Sequence, residues 1–213
     1  MWPNAWLFIL EAVAITAANT ATIVIFARKR RLHNKQYIMI ISQAVADLFV
    51  GLVSVPMFIV SRRAKDLPYP SLVRKLYFIT DGFFAAASLF GLAALATERA
   101  HATYFPFRHS TLGKGPYIIG IVLMWAAPVI VAIGLSVNFM DNQRAIVRMV
   151  LICSTLVIIS VAYSLIVYKV RCQTTHDQAH DVTIQENKKL TVTLAVVTAL
   201  SLAMWLPFQF ATV

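Results

Sequence analysis

Runs of about twenty apolar residues constrain the fold of this chain more than any other feature. Six segments have this character, with approximate bounds Ala5–Ala27, Tyr37–Val60, Leu76–Ala96, Tyr117–Val137, Val147–Val170 and Leu190–Val213. Roughly twenty helical residues cross a hydrocarbon layer of about 30 Å, and a helix satisfies the backbone hydrogen bonds that lipid cannot. The pattern therefore predicts an all-α, multi-pass membrane protein.

Charge supports this interpretation. Only 13% of the residues are charged, against about 25% in soluble domains. The net charge is +10, but the basic residues lie between the apolar segments, which favours membrane topology over nucleic-acid binding. Loops after segments one, three and five carry twelve Lys and Arg residues and the opposite side carries seven. Because the cytoplasmic loops of membrane proteins are enriched in basic residues, we expect the N-terminus to lie outside the cell.

Ionisable residues within the apolar segments or at their ends point to function, because charges in a membrane-spanning helix are costly and rarely accidental. The informative ones are Asp47, Asp81 and the adjacent pair Glu98 and Arg99. Asp81 precedes Arg99 by eighteen residues, or five helical turns, so the two share a helix face about 27 Å apart. The sequence shows no nucleophile–base pair, metal-ligand set or phosphate-binding loop, so we do not expect an enzyme.

The order of polar motifs along the segments resembles the rhodopsin-like (class A) G protein-coupled receptors. Asn19 and Trp125 stand where that family has its first-helix asparagine and fourth-helix tryptophan. The remaining motifs are Ala44-Val45-Ala46-Asp47-Leu48, Glu98-Arg99-Ala100, Tyr163 with Ile166, and Met204-Trp205-Leu206-Pro207.

The resemblance implies a seven-transmembrane receptor bundle of which six helices are present. Residues 1–213 would form a single receptor domain that ends within the sixth helix, with the seventh beyond Val213. It further implies a plasma-membrane protein that contacts lipid, binds an extracellular ligand and activates a heterotrimeric G protein through outward movement of helix six. Arg74 replaces the family's disulfide cysteine and Thr155 its fifth-helix proline. These absences resemble the melanocortin, cannabinoid and lysolipid receptors.

Asp81 is the expected ligand contact, because it resembles the aspartate with which the family's amine receptors bind an ammonium group. A cationic amine or peptide is therefore favoured, and a lipid remains open. Trp205 and Phe208 would flank the cation and Gln209 would add a polar group. The alternative is an internal ion pair between Asp81 and a basic residue such as Arg74 or Lys75.

Two further sites follow from the resemblance. Glu98 would hold Arg99 in the resting state, with Tyr163 and the helix-six hinge at Pro207 completing the G protein switch. The alternative is an ion pair at the membrane interface with no switching role. Asp47 and Ser88 would bind sodium as an allosteric modulator, or form a water-filled polar cluster without it. No other metal or cofactor is expected.

Two other functions compete with the receptor hypothesis. In a transporter or channel, Asp47 and Asp81 would line an ion path. In a light-sensing opsin, a retinal lysine would lie in the seventh helix, but Tyr77 occupies the position of the usual counter-ion, which disfavours this reading.

Overall fold

The computed structural model describes residues 5–28, 35–63, 66–136 and 141–174, together with single helical positions at Val192, Val196, Ala199 and Ala203. The helices are α1 (Ala5–Arg28), α2 (Lys35–Phe49), a π-helical stretch (Val50–Ser54), α3 (Val55–Arg62), α4 (Pro70–Tyr104), α5 (Pro106–Thr111), α6 (Gly115–Ser136) and α7 (Asp141–Thr174).

Five helical segments in this described part are long and apolar enough to cross a membrane. They are Ala5–Arg28, Tyr37–Arg62, Pro70–Tyr104, Gly115–Gly134 and Ile146–Lys169. The second joins α2, the π-helical stretch and α3 into one span. The first five predicted segments are thereby confirmed as helices. The sixth, Leu190–Val213, lies outside the described residues except for the four single positions.

The helix ends differ from the prediction at two places. Helix α4 begins at Pro70, six residues before the predicted segment Leu76–Ala96. Proline fits the first turn of a helix, where its missing N–H needs no partner. Helix α7 extends to Thr174, four residues beyond the predicted segment Val147–Val170. Polar residues such as arginine have good helix propensity outside lipid, so an apolar run gives only the minimum length of a helix.

The π-helical turn from Val50 to Ser54 interrupts the second span just before Pro56. A proline clashes with the carbonyl four residues earlier, here that of Leu52, and a wider π turn relieves that clash. Gly51 lies in the same turn and packs closely on α1. A Cβ atom there would come within 2.8 Å of Thr16 Oγ1, so only glycine permits this approach.

Helix α4 is the centre of the bundle and packs most extensively against α6 and α7, and also against α2. Its buried face is rich in small residues, which let neighbouring helices approach closely in a membrane. These residues are Gly82, Ala85, Ala86, Ala87, Ser88, Gly91 and Ala96. The opposite faces of α6 and α7 expose apolar side chains such as Ile130 and Val157, as lipid-facing surfaces do.

Candidate functional site

Buried or half-buried polar side chains occur at three levels along α4. Asp81 lies toward its N-terminal end, Ser88 near its middle, and Glu98 and Arg99 toward its C-terminal end. Each level contacts a different set of neighbouring helices. Asp81, Ser88, Glu98 and Arg99, which the sequence analysis singled out, therefore all belong to one helix.

At the first level, Asp81 forms an ion pair with Arg148 of α7. The Arg148 Nη2 atom lies 3.0 Å from Asp81 Oδ2, and the two side chains are 10% and 0% exposed. Tyr77, one turn earlier on α4, is buried and interacts with the same guanidinium group. The internal partner of Asp81 is therefore neither Arg74 nor Lys75, which are exposed on the surface.

Sequence reasoning missed Arg148 as a partner of Asp81, because Arg148 is one of the seven basic residues assigned to the outer side. It is nevertheless the second residue of the fifth apolar segment, Val147–Val170. A charge at such a position requires an opposite charge or a polar cavity. The sequence therefore indicates that Arg148 pairs with an acidic residue inside the membrane, but it does not identify that residue.

At the second level, Asp47 of α2 and Ser88 of α4 contact each other directly, because the Ser88 hydroxyl donates a hydrogen bond to Asp47 Oδ1. Gln43, one turn before Asp47, is the third member of the cluster. Its Nε2 atom donates to Asp47 Oδ1 at 3.0 Å and to Ser88 Oγ at 3.3 Å. All three side chains are buried. The structure thus brings Asp47 and Ser88 together as expected, and adds an amide that the sequence analysis did not single out.

Gly91 makes room for that amide. A Cβ atom at Gly91 would lie 1.9 Å from Gln43 Oε1 and 2.7 Å from Met124 Cε, so no other residue fits without displacing them. The Gln43 oxygen has no hydrogen-bond partner among the residues whose positions are described. The amide oxygen of Gln43 therefore lies next to Gly91, and its nitrogen is directed at the Asp47 and Ser88 oxygens.

At the third level, Glu98 is held from three sides. Its Oε2 accepts a hydrogen bond from Arg99 Nε. Its Oε1 lies 2.9 Å from Nε2 of His109 on α5 and 3.4 Å from the hydroxyl of Tyr117 on α6. The His109 ring and the Tyr117 hydroxyl also contact each other at 2.9 Å. The arrangement fixes the carboxylate against Arg99, whose side chain is only 3% exposed.

The other expected residues in the described part are Trp125, Asn19 and Tyr163. Trp125 Nε1 donates to Ser42 Oγ at 2.9 Å and so links α6 to α2. Asn19 Nδ2 donates to the Ile15 carbonyl of its own helix at 2.9 Å. Tyr163 of α7 packs beside the cluster of buried residues that joins α4 and α7. The predicted residues Trp205, Pro207, Phe208 and Gln209 fall outside the part of the chain that the structure describes.

Comparison with known proteins places the chain in a family. Residues 18–145 match the family described as 7 transmembrane receptor (rhodopsin family). The matched region contains all three polar levels of α4 and their partners on α2, α5 and α6.

The names of the individual relatives describe receptors for a neuropeptide and for an amine. Neuropeptide FF receptor 2 of Mus musculus is 28% identical over 118 residues, which are 55% of this chain and 28% of that receptor. Neuropeptide FF receptor 1 of Homo sapiens is 29% identical over 134 residues, 61% of this chain and 31% of the relative. The 5-hydroxytryptamine receptor 2B of Dichotomyctere fluviatilis is 26% identical over 140 residues, which are 65% of this chain and 30% of that receptor.

The chain thus spans about three-tenths of the length of these relatives. Their names describe receptors and not enzymes, as the sequence predicted, and the family match removes the transporter and channel alternative. The match covers more than half of the chain and agrees with its all-α, membrane-spanning architecture. The chain belongs to the rhodopsin family of seven-transmembrane, G protein-coupled receptors.

Proposed function

We propose that this receptor binds an extracellular cationic ligand at Asp81 and passes the signal to a heterotrimeric G protein through Arg99. In this proposal the receptor lies in the plasma membrane with its N-terminus outside, and the Asp81 end of α4 faces the ligand. The single observation that carries the proposal is the buried ion pair between Asp81 and Arg148.

A buried ion pair is an expensive way to hold two helices together. Removing both charges from water costs several kcal/mol per ion, and apolar residues of similar volume often serve stability equally well. An ionisable pair inside a membrane bundle is therefore a functional contact by default. Asp81 and Arg148 come from different helices, α4 and α7, so exchanging one partner for a ligand changes how these helices are held.

The pair also restricts the chemistry of the ligand. A cation that takes Arg148's place on Asp81 leaves the guanidinium without its acceptor, and a stranded buried charge is strongly unfavourable. A ligand that brings both a cation and a carbonyl or carboxylate oxygen satisfies both residues. A basic peptide has both groups, whereas a simple amine has only the first. We therefore favour a basic peptide over an amine, in accordance with the peptide receptors among the named relatives.

The opposite end of α4 would carry the signal inside the cell. Glu98 holds Arg99 next to it, and His109 and Tyr117 hold Glu98. Release of Glu98 would free the guanidinium for a G protein, as in a two-state switch. The hinge at Trp205 and Pro207, and the outward swing of helix six, remain predictions.

The proposal is tested by G protein activation in cells that express the receptor, with neuropeptide FF, 5-hydroxytryptamine and a lysolipid as probes. For a cationic agonist, Asp81→Ala removes one side of a buried charge pair. This typically costs about 2–5 kcal/mol, which corresponds to roughly thirty-fold or more in potency. Arg148→Ala should lower the potency of a basic peptide, because the oxygen of the peptide loses its partner. It should preserve or raise the potency of a simple amine, because Arg148 no longer competes for Asp81.

Matched controls are Arg74→Ala and Lys75→Ala, which remove exposed charges from the same helix. Surface expression of all variants must be equal. A cationic agonist whose potency is unchanged by Asp81→Ala contradicts the proposal. An anionic lipid that depends on Arg148 and tolerates Asp81→Ala would instead identify a lipid receptor.

A further inference from the structure

We infer that the Gln43 amide occupies the place that a sodium ion would take between Asp47 and Ser88, so that this receptor does not respond to sodium. The inference rests on the buried cluster of these three side chains and the glycine beneath it. It does not depend on which ligand or G protein the receptor uses.

The contacts of the cluster do not suit a cation. Sodium needs oxygen lone pairs directed at a common point. Here the Ser88 hydroxyl is directed at Asp47, and the Gln43 Nε2 atom donates to both oxygens, at 3.0 Å to Asp47 Oδ1 and 3.3 Å to Ser88 Oγ. An amide nitrogen is a donor with no lone pair to offer a metal. It therefore satisfies the same two acceptors that a sodium ion would use.

The chemistry of its neighbours fixes which way the amide faces. An ionised carboxylate only accepts hydrogen bonds, so the nitrogen of Gln43, and not its oxygen, must face Asp47. Gln43 and Asp47 are four residues apart on α2 and therefore lie on one helix face, which keeps the amide close to the carboxylate. The Gln43 side chain is 2% exposed.

Gly91 makes the arrangement sterically possible. Any Cβ atom at this position would be 1.9 Å from Gln43 Oε1, so the glutamine reaches Ser88 only because α4 has a glycine here. The amide is also covalently attached, and an attached group competes with a free ion at a high effective concentration. Sodium would have to displace Gln43 from a packed site before it could bind.

The test needs no ligand. The receptor is purified in detergent, and its thermal unfolding midpoint is measured in sodium chloride and in N-methyl-D-glucamine chloride at equal ionic strength. We expect no difference for the wild type. Gln43→Ala removes the amide and leaves space for a hydrated ion, so sodium should raise its midpoint by about 2–4 °C. Adding Asp47→Asn to Gln43→Ala should abolish that rise.

Two further variants complete the experiment. Ser54→Ala removes a different buried hydroxyl from the same membrane span and should stay insensitive to sodium. Gly91→Ala displaces the Gln43 amide by steric contact and leaves Gln43 itself in place, so sodium should raise its unfolding midpoint as well. This variant tests the inference if Gln43→Ala does not fold.

Two results would overturn the inference. In the first, the wild type is stabilised by sodium and Gln43→Ala loses that effect, which would make Gln43 a ligand and not a substitute. In the second, a folded Gln43→Ala or Gly91→Ala variant shows no sodium effect, which would mean that Asp47 and Ser88 do not form a sodium site at all.

Discussion

Arg148→Ala should strongly destabilise the receptor, because it leaves the Asp81 carboxylate buried without its cation. The Asp81 side chain is 0% exposed and that of Arg148 is 10% exposed, so water cannot replace the lost contact at low cost. Breaking such a pair by removing one partner typically costs about 3–5 kcal/mol. For a chain of this size, about 2–4 °C is lost per kcal/mol, so the unfolding midpoint should fall by about 6–20 °C.

The assay is thermal unfolding of detergent-purified receptor, with two comparison variants. Arg74→Ala removes an exposed charge and should stay within about 0.5 kcal/mol of the wild type. The double variant Asp81→Leu/Arg148→Met removes both charges and should recover most of the stability, because well-packed apolar pairs are often neutral or better. The reasoning would be refuted if Arg148→Ala lowered the unfolding midpoint no more than Arg74→Ala does. The reasoning would also be refuted if the unfolding midpoint of the double variant fell by as much as the sum of the falls for Asp81→Leu and Arg148→Met alone.

Two other perturbations follow from particular contacts. His109→Phe removes one contact that holds Glu98, worth about 0.5–1.5 kcal/mol, so ligand-independent G protein activation should rise by up to about tenfold. Arg108→Ala, which changes the exposed neighbour of His109, is the control. A basal signal of His109→Phe no higher than that of Arg108→Ala would argue against this role for the histidine. Gly51→Ala places a Cβ atom 2.8 Å from Thr16 Oγ1 and should lower the unfolding midpoint, because overpacking typically costs about 1–3 kcal/mol. Thr16→Ala in the same chain should restore part of the loss, and an unchanged midpoint for Gly51→Ala would show that α1 does not pack here.

The sequence alone determined the number and type of the membrane segments in the described part of the chain. Lipid offers no hydrogen-bond partner to the backbone, so a run of about twenty apolar residues has one stable conformation, the helix. It also determined the family, because Asp47, Arg99 and Trp125 stand in the right order on the right segments. Helix ends were less certain, as Pro70 shows, because polar residues outside lipid are free to extend a helix.

Only the tertiary structure decided which polar groups meet. The segments that became α6 and α7 are apolar on all sides, so no periodicity in the sequence reveals which face turns inward. Rotation about each helix axis is set by packing, here by the small residues that line α4. That rotation brings Arg148 to Asp81 instead of Arg74, and Gly91 lets Gln43 reach Ser88. A one-dimensional pattern shows that a buried charge needs a partner, but close packing between helices selects the partner.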